Sequence, residues 1–292
     1  MVVSLKSLNH SKGRRIMFYK NVADVITEKN IVCFSPHYDD FLFFLGGYVD
    51  SLKRSGLLNT KKITNISVFS RSNYQERDNE GNKDQSLKRV QYATGIRFIE
   101  DLEALDVMLG AHNYTYRVMG ENESQVRGKI LNEGEGEMEM AFGCLETMDE
   151  KDHEICARMV ECIAELAKEE DTALVFPLAM KGHIDHFIVH FAAEQVMNRA
   201  GNKAAFYFAE DKPYAGLLDQ KEKAITDAFI DKYSLKDRAF QFDPERILEI
   251  AYNHYPSQVD KVYDEGIWER VEQLKAHYGL DISIDRVFKY AE

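Results

Sequence analysis

Two short stretches carry the residue types that bind metals and move protons. They are His37-Tyr38-Asp39-Asp40 and, far along the chain, His183-Ile184-Asp185-His186. In the first, one histidine and two aspartates are crowded together. A neutral imidazole nitrogen and hard carboxylate oxygens suit Zn²⁺ or a similar ion, and one carboxylate is left over to act on a bound water. A plainer explanation exists for either stretch alone: Asp39 or Asp40 could cap a helix by accepting orphan amide hydrogens, and His37 could be a turn residue. The second stretch repeats the pattern of the first, and two such clusters are harder to explain as caps.

The elements around them say where they sit. Ile31-Val32-Cys33-Phe34 is too short for a helix and suits a buried strand, whereas the apolar run 41–49 reads as a buried helix continuing to Arg54. Residues 172–177 form another buried strand, followed past the second cluster by an apolar helix over 187–200. Both clusters therefore lie at the carboxyl end of a strand, where open α/β sheets bind ligands. Further strands are expected at 63–69, 114–118 and 204–209, and helices at 22–28, 87–109 (with Gly95 as a break and Gly110 as a C-cap) and 149–170. The polar loop 70–77 leaves a strand end and could hold a polar substrate or equally be an exposed linker, the better reading for its continuation over 78–84. Residues 119–149 read as an irregular insertion or surface loop, and the basic patch 12–15 as solvated surface. After 210 the pattern turns helical, at 220–232, 244–253 and 265–278. Alternating strands and helices over 31–209 predict an α/β fold: a Rossmann-like, mostly parallel sheet with helices on both faces. The expected organisation is a single domain over 1–292, with a core at about 31–210 and a helical C-terminal part at 215–292.

Composition narrows the function classes. The 292 residues are 45% hydrophobic and 29% charged, as in ordinary globular proteins, with a net charge of −12. An acidic chain argues against nucleic acid or an anionic membrane as the main partner. The run 41–49 is too short to span a bilayer, so no membrane insertion is expected. The N-terminus lacks the apolar core of a signal peptide. Cys33, Cys144, Cys156 and Cys162 form no C-x-x-C pair and read as free thiols in a reducing cytoplasm.

With both clusters in place, the sequence resembles the LmbE-like, or PIG-L, family of zinc-dependent N-deacetylases. The family's His-Pro-Asp-Asp-Glu stands here as His37-Tyr38-Asp39-Asp40-Phe41, with Gly46-Gly47 in register. Its His-Pro-Asp-His stands as His183-Ile184-Asp185-His186. Arg97-Phe98-Ile99-Glu100 and Leu109-Gly110 look like its Arg-x-x-Glu helix, and Glu210 to Tyr214 and Tyr255-Pro256-Ser257-Gln258 resemble weaker features. The resemblance covers about residues 31–260 and implies an LmbE-like fold. By position it implies that His37, Asp40 and His186 hold Zn²⁺, or another divalent ion such as Fe²⁺. Asp39 would be the general base, His183 the second acid/base or oxyanion group, and Asp185 the residue orienting His183.

Arg97, Arg71 and Tyr214 are the candidate substrate contacts. For Arg97 a surface ion pair with Glu100 or Glu103 is an equal alternative. Tyr38, Phe41 and Ile184 depart from the family pattern without removing a ligand, but Phe41 takes away a polar group. The function implied is removal of acetyl from an N-acetylglucosamine-like conjugate, a small-molecule amino-sugar substrate. An amidase acting on a larger acyl group and a non-catalytic sugar-binding protein are the alternatives, and homo-oligomerisation is left open.

Overall fold

The structure, a computed structural model, describes residues 2–4, 17–129 and 148–290. The basic patch 12–15, residues 130–147 of the expected insertion, and Cys144 lie outside the described residues. Among the described residues nine strands form one sheet. They are β1 (Val2–Ser4), β2 (Met17–Tyr19), β3 (Asn30–Ser35), β4 (Lys62–Ser67), β5 (Tyr114–Val118), β6 (Thr172–Pro177), β7 (Ala205–Ala209), β8 (Lys236–Gln241) and β9 (Ile284–Lys289). Their order is β1-β2-β8-β9-β7-β6-β3-β4-β5, and β3 to β7 run parallel. From β3 the chain steps outward through β4 and β5, then returns to the other side of β3 as β6 and β7. The order reverses between β3 and β6, and the crevice at their carboxyl ends is the switch point where such sheets bind ligands.

β3 is buried on both faces, which is why it reads as a continuous apolar run. Ile31 and Cys33 join one core cluster, and Val32 and Phe34 the other. The first is covered by α1 (Asp40–Arg54), α3 (Leu87–Leu109), α7 (Pro244–His254) and α8 (Lys261–Tyr278). The second is covered by α4 (Glu150–Leu166), α5 (Ile184–Met197) and α6 (Gln220–Lys232). A short α2 (Asn79–Lys83) lies in the loop after β4. Every residue of α1 from Asp40 to Val49 is buried, so this helix runs through the interior rather than over it. Gly47 makes that passage fit: a Cβ there would come within 2.8 Å of Asp285 Oδ2 and 2.9 Å of the Phe242 ring.

The structure differs from the sequence expectation in several places. The helix expected at 22–28 is a single 3-10 turn, Val22–Asp24, capped by Asn21, after which Val25 and Ile26 drop into the core. α3 passes through Gly95 without a break. The C-terminal part is not purely helical. It contributes β8 and β9, with β9 lying antiparallel between β7 and β8. Cys33, Cys156 and Cys162 are free thiols. Among the described residues no helix is long and apolar enough to cross a membrane.

β9 is fastened by buried charge. Glu210, at the end of β7, accepts from Arg270 of α8 at 2.8 and 2.5 Å and from Arg286 Nε of β9 at 2.7 Å. Next to it, Lys212 Nζ donates to Asp285 Oδ1 at 2.8 Å. Burial opposes the Glu210 charge, but the two guanidinium groups hold its pKa well below the ordinary carboxylate range. A depressed folded-state pKa contributes stability above the unfolded value and loses it as pH falls through the folded one. Glu210→Gln is expected to cost about 3 kcal/mol at neutral pH, as breaking a buried pair does. Its urea-unfolding free energy should also fall less on acidification below about pH 4 than that of the unaltered chain. Equal acid dependence in the two proteins would contradict this role.

Candidate active site

The turns that follow β3 to β7 meet at one rim. β3 runs into His37, Asp39 and Asp40, with Asp39 at the N-cap position of α1. The side chain of Asp39 makes no capping bond and instead lines the crevice. The Asp40 carboxylate is fixed by the His37 backbone N–H, which donates to Oδ2 at 2.6 Å. β6 ends in a contorted turn with positive φ at Ala179, Lys181 and Gly182. Non-glycine residues held there store about 1–3 kcal/mol of strain each, a feature that clusters at functional sites. The turn delivers His183 as the N-cap of α5: its Nδ1 accepts from the Asp185 backbone N–H at 3.2 Å. A neutral His183 therefore carries its proton on Nε2.

His37 Nδ1, Asp40 Oδ2 and His186 Nε2 converge. Asp40 Oδ2 lies 3.5 Å from His37 Nδ1 and 3.4 Å from His186 Nε2, and the two nitrogens are 3.3 Å apart. Ligands at zinc distances on one face of a tetrahedron are spaced by about 3.3–3.5 Å. The second nitrogen of each histidine meets a carboxylate. His37 Nε2 lies 3.0 Å from Asp185 Oδ2, and His186 Nδ1 lies 2.5 Å from Asp211 Oδ1. Such backing fixes the tautomer and orientation of a ligating imidazole. The donor set and its supports fit a divalent ion.

No family model matches the chain. Over 190 residues it is 28% identical to 2′-N-acetylparomamine deacetylase of Streptomyces fradiae. That stretch is 63% of this chain and 57% of the relative, so the match spans little more than half of that protein. Among solved structures, the zinc-inhibited form of teicoplanin deacetylase Orf2 superposes with a TM-score of 0.60 at 18% identity, covering 89% of this chain and 97% of that one. The A40926 pseudoaglycone deacetylase Dbv21 gives 0.57 at 18% identity, covering 91% and 99%. The fold is LmbE-like. At these identities the likeness is one of architecture.

Of the candidate residues, His37, Asp39, Asp40, Arg97, His183, His186 and Tyr214 line one crevice. Two expectations need correction. Asp185 does not orient His183 with its carboxylate: Oδ2 is 4.0 Å from His183 Nδ1 but 3.0 Å from His37, and only its backbone amide serves His183. Arg71 is exposed and does not line the crevice; its backbone is bridged to Asn122.

Arg97 is not a surface residue. Its buried guanidinium pairs with Glu123, donates to Ser72 Oγ at 2.6 Å and to Gln258 Oε1 at 2.7 Å, and lies 3.8 Å from Asp39 Oδ1. Glu100 instead accepts from Ser257 and Gln258, which ties α3 to the loop after α7. Tyr38 sits under Arg97, with its ring centre 5.9 Å from the guanidinium carbon. Phe41 is fully buried in the core.

Sequence reasoning missed Glu123, Arg127 and Tyr263 and gave Asp211 no role. Glu123 follows β5 and Asp211 follows β7, so the signal was available: both occupy the carboxyl-end position that singled out the two motifs. Tyr263, from the first turn of α8, has no such signal. Its hydroxyl donates to Asp39 Oδ2 at 3.3 Å.

The crevice is rich in buried acid, and its proton affinities follow. Burial and the neighbouring Asp40 raise the pKa of Asp39, against the pull of Arg97. Burial disfavours a charged His37, yet the hydrogen bonds to Asp185 and Asp40 hold its pKa well above the ordinary value. His186 is raised too, with Asp40 and then Asp211 outweighing burial. Burial takes His183 the other way, down to about 3, despite Asp185. A metal entering this site must displace protons from His37 and His186, so its apparent affinity should rise with pH. Titrating the metal-free protein with Zn²⁺ in weak buffer should release protons, and affinity should increase between about pH 6 and 8. Uptake with no proton release would contradict the assignment of these imidazoles.

Proposed function

We propose that the chain is a metal-dependent N-deacetylase that removes acetyl from an N-acetylglucosamine-like conjugate, with zinc or another divalent ion such as Fe²⁺ as cofactor. The observation that carries this reading is the tetrahedral-face spacing of His37 Nδ1, Asp40 Oδ2 and His186 Nε2, with a carboxylate behind each imidazole. The likeness to deacetylases in fold and in part of the sequence supports it.

His37, Asp40 and His186 would hold the ion, which when bound supplies a Lewis acid for the amide carbonyl and acidifies a water. Asp39 lines the same crevice and is not among those three donors. It takes the proton of the attacking water and returns it to the leaving amine. His183, neutral and protonated on Nε2, donates to the carbonyl oxygen as charge develops there. Arg97 and Tyr263 fix the two oxygens of Asp39 from opposite elements. Phe43, Tyr74, Tyr214 and Tyr263 give the crevice aromatic faces, the three tyrosines with hydroxyl tips, a lining that suits a sugar ring. Phe41, the one sequence feature favouring a non-catalytic protein, is a core residue outside this lining.

Asp39 and Asp40 are neighbours of one type with different tasks. Asp39→Asn should keep near-normal metal content while the single-turnover rate of acetate release falls by about 10²–10⁴, the worth of a positioned acid/base. Ala at His37, Asp40 or His186 should strip the metal. Metal content and rate measured on the same preparations decide the matter. Loss of metal from Asp39→Asn with retention in Asp40→Asn would exchange the roles, and an unchanged rate in Asp39→Asn would end the catalytic assignment.

A further inference from the structure

We propose that Arg127 is a positioning residue for His37, acting through Asp185, and so sets the metal affinity of the site from outside it. The inference rests on the metal reading above. Arg127 follows β5, in a segment the sequence alone marks as surface insertion, yet its side chain is only 2% exposed. Its guanidinium lies over the Phe69 ring, 4.9 Å from the centre. One arm, Nη2, donates to Asp185 Oδ1 at 2.6 Å, and Nε donates to Asp152 Oδ1 at 2.9 Å. Asp152 is itself pinned at the start of α4, where Oδ2 accepts from the Asp149 backbone N–H at 3.1 Å.

The planar fork of Arg127 thus bridges two buried carboxylates on different helices, a task for which lysine has no equivalent geometry. The terminal torsion of an aspartate is broad, so a carboxylate held at one oxygen can turn. Asp185 is held at both. Oδ1 takes Arg127, and Oδ2 takes the Ser124 backbone N–H at 2.9 Å while facing His37 Nε2 at 3.0 Å. With its plane fixed, Asp185 fixes the His37 ring, and that ring presents Nδ1 toward Asp40 and His186. Arg127 supplies none of the three donor atoms and does not itself line the crevice. It acts through another residue, and its effect should show in metal binding.

The test is Zn²⁺ affinity by competition with a chromophoric chelator, run on the full chain, Arg127→Met and Arg127→Lys. Visible spectra of the Co²⁺-loaded proteins, and KM and kcat at saturating metal, complete the set. Arg127→Met should bind zinc about 10–100-fold more weakly, the usual cost of losing an outer partner of a ligand. Arg127→Lys, which keeps the charge without the fork, should fold and bind with an intermediate loss. The Co²⁺ bands should shift in both. At saturating metal KM should stay near that of the unaltered chain, because Arg127 does not face the substrate. Zinc affinity and Co²⁺ bands unchanged in Arg127→Lys, or in a folded Arg127→Met with only a lower melting temperature, would overturn the inference and leave the metal reading intact. An unaltered chain that binds no metal would overturn both.

Discussion

Buried negative charge is the constraint on which the site depends. Asp39, Asp40, Glu123, Asp185 and Asp211 are all buried around one crevice, with Arg97 and Arg127 as the guanidinium groups among them. Carboxylates this close cannot all ionise in a low-dielectric setting unless positive charge sits between them. Part of that deficit falls to protons: Asp185, Asp40 and Asp211 make His37 and His186 hold theirs more tightly against the effect of burial, whereas at Asp39 and Glu123 burial is the chief cause. A divalent cation at the convergence of His37, Asp40 and His186 answers the same deficit.

The fold meets the constraint by bringing distant segments to one rim. β3 and β6 are hydrogen-bonded neighbours, in register from Asn30 opposite Thr172 to Cys33 opposite Val175. Their continuations must therefore emerge side by side, and these carry the two motifs. The flanking strands supply the supports: β5 leads to Glu123 and Arg127, and β7 to Asp211. Asp211 does double duty, since Oδ1 meets His186 and Oδ2 accepts from the Met180 backbone N–H at 3.1 Å inside the strained turn. The Glu210 clamp one residue earlier anchors this segment to α8 and β9. The C-terminal region thus reaches the chemistry twice, through that clamp and through the Tyr263 contact with Asp39.

What the sequence made legible was what is local. Strand, turn and helix follow one another within a few residues at both motifs, and the apolar runs of β3 and β6 need no partner to be recognised. Arg97 and Tyr214 were legible through their segments. The backing carboxylates were harder, because the pairing of His186 with Asp211 depends on β6 lying beside β7. Asp185 shows the limit clearly: two positions from His183 in sequence, its carboxylate belongs to His37 across the crevice. β9 was hidden by its own function. Asp285, Arg286 and Lys289 give a six-residue strand the look of an exposed segment, although Asp285 is buried against Lys212 and Arg286 pairs with Glu210. Charge inside a strand, matched by charge from a neighbour, defeats a pattern built on alternating polarity.

The central claim is that His37, Asp40 and His186 together hold a catalytic divalent ion. Anomalous diffraction on either side of the zinc absorption edge, from crystals of the protein purified without chelator and supplied with one equivalent of Zn²⁺, tests it most directly. The account predicts an anomalous peak at about 2.0–2.2 Å from His37 Nδ1, an Asp40 oxygen and His186 Nε2. Zinc fully bound elsewhere, with these three side chains unliganded, would contradict it.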